Sequence, residues 1–136
     1  MFESINTIAV LVSAILAVSV GSIWYSPLFF GTAWIKASGL PPEHADFSRK
    51  EIIRLTAVGV VVQFIFFSVI AQLITLKDMG GFSLLKIGGL LAILIVARML
   101  IPIIWEKRPL AYFLINAGYS VVILFGGLGI IAYWPW

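Results

Sequence analysis

The sequence predicts an all-α membrane protein: a bundle of four transmembrane helices with a short interfacial helix after the first span. Three observations predict it. The 136 residues are 62% hydrophobic and only 11% charged, with a mean hydropathy of +1.11, whereas soluble domains carry about 25% charged residues. The apolar residues gather into four runs without Asp or Glu: Thr7 to Tyr25, Leu55 to Leu76, Leu84 to Trp105 and Leu110 to Trp134. Each run has roughly 20 residues, the length that crosses a ~30 Å hydrocarbon core as a helix. Lipid offers no partner to backbone N–H and C=O groups, so the helix is the economical form for each run. One membrane domain, residues 1–136, follows.

The first run is read as a span and not as a secretory signal, because its leader carries Glu3 and no basic residue, opposite to the usual signal. Small residues recur along it at Ala9, Ser13, Ala17 and Gly21, a face along which backbones approach closely. It is a candidate for helix packing or for a subunit interface, and Gly88 with Ala92 offers a shorter candidate in the third span. After the first span, Ser26 and Pro27 suit an N-cap and a first helical residue, and Gly39 suits a stop. The expected helix, 27–38, is too short to span. Its aromatic residues suit the headgroup region, so Trp24, Tyr25, Phe29, Phe30, Trp34, Trp105 and Trp134 are expected as interfacial anchors. An aromatic box for a ligand is the sharper alternative.

Ser48-Arg49-Lys50-Glu51 reads as a capping box, so the second helix starts well before its apolar run. His44 lies between Glu43 and Asp46 in the preceding turn, and with no other His and no Cys in the chain a metal site there lacks ligands. No cofactor or metal is expected. The short turns are Asp78 to Phe82 and Glu106-Lys107-Arg108-Pro109. Trp24 and Trp105 each close a span shortly before a proline, a weak sign of two similar hairpins. The loops after the first and third spans hold Lys36, Arg49, Lys50, Arg54, Lys107 and Arg108, against Lys77 and Lys86 on the other side. The positive-inside rule then makes loops 26–54 and 106–109 cytoplasmic and both termini external.

Arg98 lies seven positions before Trp105, so roughly 10 Å inside the inner boundary, where a charge costs a few kcal/mol on insertion scales. Pro102 lacks the amide that would bond the Arg98 carbonyl, and a helix kink is expected there. Equal depths place Ser19, Gln63, Arg98 and Asn116 in one layer, with Arg98 to Asn116 the first expected contact. Tyr112, Asn116, Tyr119 and Ser120 share one face of the fourth span and extend the layer. Gln72 and Thr75 belong near the outer end. Arg98 has no countercharge within the spans. Three readings stand: a cavity that receives an anion, a lipid headgroup or a partner's carboxylate; a structural tie to Asn116, helix-end carbonyls and water; or snorkelling, which helical side-chain direction makes awkward here.

Trp24-Tyr25-Ser26-Pro27 with Phe30-Gly31, Trp34 and Gly39-Leu40, then Arg108-Pro109 and Phe113 to Tyr119, resembles a bacterial integral membrane family catalogued as domain of unknown function 1761. The resemblance covers nearly the whole chain. It implies a small four-helix inner-membrane protein and supplies no activity.

For function, catalysis is the weakest expectation, since no His, Cys or carboxylate lies in the spans to act as base or nucleophile. Nucleic-acid binding is excluded by a charge of only +3 spread through loops. A structural or accessory unit that forms a homo-oligomer among membrane lipids ranks first. A transporter or channel for a small anion or anionic lipid, using the Arg98 layer, is the alternative.

Overall fold

The computed structural model describes residues 5–40, 47–80 and 83–135. The turn that holds Pro41, Pro42 and His44, and Gly81 and Phe82 of the turn before the third apolar run, lie outside the described residues. Among the described residues there are helices and no strands: α1 Thr7–Trp24, α2 Gly31–Ser38, α3 Arg49–Gly80, α4 Leu84–Met99, α5 Ile101–Trp105 and α6 Leu110–Ala132. Four helical stretches, Thr7–Trp24, Arg49–Thr75, Leu84–Trp105 and Leu110–Ala132, are long and apolar enough to cross a membrane.

The helix starts follow from local chemistry. Asn6 Oδ1 accepts from the Ala9 amide at 3.0 Å at the head of α1, and Ser83 Oγ accepts from Lys86 N at 3.2 Å at the head of α4. At α3 the capping box closes both ways: Glu51 N donates to Ser48 Oγ at 3.2 Å and Ser48 N donates to Glu51 Oε2 at 3.1 Å. Each bond satisfies an amide that the first turn leaves without a helical partner. The third span is broken near its C-terminal end. α4 stops at Met99, Leu100 caps it, and α5 restarts with Pro102 in its first turn, where a missing amide does no harm.

α1, α3 and α6 form the core, with Val10, Ala14 and Ala17 of α1 packed among Phe67, Ile70, Ala71 and Ile74 of α3 and Ile123, Leu124 and Leu128 of α6. The small-residue face of α1 is consumed here. Ala9, Ser13 and Ala17 are at most 1% exposed, covered by the chain's own helices, so the face expected to serve a second subunit is not available for one. Ser13 Oγ donates to Ala9 O at 2.9 Å, so its hydroxyl is satisfied on its own helix and the face stays narrow. Phe67, fully buried, lies so close to Gly127 that any Cβ there would collide with its ring. α4 packs against α6 where Gly88 admits the Phe125 ring, to which a Cβ would come within 2.8 Å. The rest of α4 is half-buried or exposed, Gly88 being its only buried residue among those described.

Candidate functional site

The chain leaves α1 through a tight turn and returns onto α6. Ser26 is not the N-cap expected of it. Its hydroxyl donates to Ile23 O at 2.6 Å, and its carbonyl accepts from Phe29 N at 3.1 Å and Gly31 N at 2.9 Å. α2 therefore starts at Gly31, four residues later than predicted. The turn needs glycine there, since a Cβ would collide with the Tyr25 carbonyl oxygen and lie 2.7 Å from Ser26 backbone atoms. α2 ends at Gly39, which adopts the left-handed conformation (φ 71°) favoured at a helix stop. Leu28, Phe29 and Phe30 are left exposed outside the turn, while Trp24, Tyr25 and Trp34 point inward.

Those three side chains meet α6 at Asn116. Tyr25 Oη donates to Asn116 Oδ1 at 2.6 Å and Trp34 Nε1 donates to the same oxygen at 3.1 Å. Two donors on one oxygen fix the amide orientation, because only the oxygen can accept both. Trp24 Nε1 donates to Ile115 O at 3.0 Å, and Tyr119 Oη donates to Ala17 O at 2.7 Å. Glycines make room for this: a Cβ at Gly118 would lie 3.0 Å from the Trp24 ring, and one at Gly21 would lie 2.9 Å from the Tyr119 hydroxyl. The rings also pack on each other. Tyr25 meets Trp34 edge-on at 5.7 Å and Tyr119 at 5.4 Å, and Trp34 stacks on Tyr112 at 6.4 Å, geometries that each contribute about 0.5–1.5 kcal/mol beyond area burial.

A basic residue closes the arrangement from below. Lys107, with φ 53°, turns the chain between α5 and α6 in a left-handed conformation. Arg108 then donates Nη1 to the carbonyl of Ser38 at the end of α2, approaches Glu106 Oε2 with Nε at 3.4 Å, and lies 5.5 Å from the Tyr112 ring centroid. A guanidinium at a helix C-terminus satisfies carbonyls that have no amide and complements the helix dipole. α2 is thus fastened at both ends.

Beside this clasp is a half-open cavity of about 340 Å³, lined by Tyr25, Met99, Tyr112, Phe113, Asn116, Tyr119 and Ser120. Ser120 Oγ donates to Asn116 O at 3.0 Å and touches Met99 Sδ at 3.9 Å. Of the expected polar layer, Asn116, Tyr112 and Ser120 come together here, and Gln63 of α3 faces the Tyr119 hydroxyl. Arg98 and Ser19 do not. Met99, the next residue, reaches Ser120, but Arg98 is on an exposed side of α4 with no hydrogen-bond or ion-pair partner among the described residues. Ser19 is also exposed and donates to Ile15 O at 2.8 Å on its own helix. The Arg98 to Asn116 contact is replaced by the Tyr25 and Trp34 bonds.

The remaining anchors divide. Trp105 is 81% exposed and Trp134 is half-buried, whereas Trp24, Tyr25 and Trp34 use their polar atoms on α6. At the other end, Gln72 Nε2 donates to Thr75 Oγ1 at 3.1 Å within α3. Among the described residues no group of three or more His, Cys, Asp or Glu side chains could hold a metal. The cavity wall itself is lined by tyrosine, Phe113, Asn116, Ser120 and Met99.

The residues that build it are those whose pattern carried the resemblance, and they are brought together from opposite ends of the chain. No curated protein and no solved structure matches the sequence. A family model, described as protein of unknown function (DUF1761), matches residues 8–133, and the chain belongs to that family.

Proposed function

We propose that this protein is an accessory membrane protein, a non-enzymatic unit that works by associating with another protein inside the bilayer. The observation that supports it is Arg98: exposed on α4, with no Asp or Glu in any of the four apolar runs. A guanidinium facing hydrocarbon costs a few kcal/mol on insertion scales, and a carboxylate at its depth would offset that cost. A second copy brings no carboxylate to that depth, and the small-residue face that suggested a homo-oligomer is inside the bundle. The partner is accordingly a different membrane protein with an Asp or Glu in its span. The alternative, a transporter or channel for a small anion or anionic lipid, called for Arg98 within the polar layer; a lipid phosphate meeting Arg98 from the bilayer is the form of it that remains. An inner-membrane location, external termini, cytoplasmic loops and a surface position for α2 belong to the same proposal, supported by the distribution of basic residues.

The test is site-specific photo-crosslinking in native membranes, from Leu94 on α4, which is 63% exposed and one turn from Arg98, with Ile15 on the exposed side of α1 as control. A single crosslinked protein partner from Leu94, absent from Ile15 and lost on Arg98→Leu, is the expected result. A crosslink to a second copy would restore the homo-oligomer in place of this reading. Lipid adducts alone would overturn it in favour of lipid binding.

A further inference from the structure

The cavity beside Asn116 has an uneven supply of hydrogen-bonding groups. Tyr25, Tyr119 and Ser120 have given their hydroxyl protons to Asn116 Oδ1, Ala17 O and Asn116 O, so each can only accept. Asn116 Oδ1 is filled by two donors, which leaves its amide N–H2 group without a partner among the described residues; the Tyr112 hydroxyl is in the same state. The Tyr119 oxygen already faces Gln63, so the wall offers donors at Asn116 and Tyr112 and acceptors at Tyr25 and Ser120. Around these are the rings of three tyrosines and Phe113, with Tyr112 held in place by Trp34.

Charge decides what fits. No ionisable side chain other than tyrosine lines the cavity, so a carboxylate or an ammonium entering it would lose water without gaining a counterion. Arg108 lies behind Tyr112, but its guanidinium is already held by Glu106 and Ser38 O. We infer that the cavity is a binding site for a small, planar, uncharged molecule of the carboxamide class, its carbonyl accepting from Asn116 and Tyr112 and its N–H donating to a hydroxyl oxygen opposite. This is independent of association through α4. The rigid wall means that few side-chain freedoms are lost on binding.

Benzamide is the probe, followed by saturation-transfer NMR on the full chain in detergent. Wild type is expected to bind it saturably, with benzoate and benzylamine showing no saturable binding over the same range. Tyr112→Phe removes only a hydroxyl without a partner, so its melting temperature should equal that of wild type while benzamide binds about tenfold more weakly, the loss of one hydrogen bond. Met99→Phe fills the cavity and should abolish binding. The micelle is common to all three proteins, so partition into detergent cancels. No saturable benzamide binding by wild type, equal binding by the folded variants, or tighter binding of either charged probe would each overturn the inference.

Discussion

The two ends of residue use in this molecule are the clasp on α6 and the bare third span. In the fourth span 33% of the most apolar stretch is buried inside the molecule, against 6% in the third. The clasp joins residues from α1, the turn, α2 and α6 through five side-chain hydrogen bonds, counting Arg108, whereas α4 meets the core through apolar packing at Leu84, Leu91, Ala92 and Ile95 and the close approach of Gly88 to Phe125. The difference teaches that polarity inside this protein follows connectivity and not depth. Counting from the span ends puts Asn116 and Arg98 near one level, yet the first is enclosed by donors and the second faces outward. The first ties separate segments of the chain together; the second has no hydrogen-bond or ion-pair partner among the described residues.

That contrast can be broken at either end, and the clasp should respond most. Asn116→Leu leaves the Tyr25 hydroxyl and the Trp34 indole N–H without their acceptor, at about 1–3 kcal/mol for each unsatisfied group. It should give the largest fall in thermal stability in detergent, and a melting temperature equal to that of wild type would remove the clasp from the account of stability. Gly31→Ala forces the turn open against backbone atoms that cannot swing away, at about 1–3 kcal/mol; Trp34 fluorescence should shift to the red as the ring leaves Tyr112. Trp34→Phe keeps a ring on Tyr112 and loses one hydrogen bond, for about 1 kcal/mol. Arg98→Leu should be the smallest, within about 0.5 kcal/mol of wild type because it removes no contact in the chain. Insertion of that variant should be intact. A marked loss of stability there would show that Arg98 ties the bundle together after all.

Much of the architecture is legible in the sequence because backbone satisfaction in lipid leaves few choices: four apolar runs, Ser48 with Glu51 at a helix start, Gly39 at a stop. The face of each helix is not. In water a helix shows its buried side by polarity, but here Ile93 and Leu94 outside are as apolar as Ile123 and Leu124 inside, so counting from the boundary could not show that Arg98 and Ser19 lie on exposed sides. Serine adds to the ambiguity, as Ser19 can satisfy itself on the carbonyl four residues back. Small residues are the better guide: Ala9, Ser13 and Ala17 did mark a close approach. The inward turn of Trp24, Tyr25 and Trp34 was hidden because aromatics at a span end suit the membrane surface by default. The signal for it was present in Asn116, the single Asn within the four apolar runs, whose amide oxygen needs donors that an indole and a tyrosine supply.

The clasp also dictates an order of events during synthesis. Trp24 and Trp34 bond groups 91 and 82 residues further along the chain, so none of its bonds to α6 can close until the last helix has left the ribosome and entered the bilayer. Until then α1 and α3 can already pair, while the three aromatic side chains wait at the headgroup level, where such rings are stable. A chain stopped before residue 110 would display them there permanently, marking an unfinished protein by its own unlatched aromatic segment.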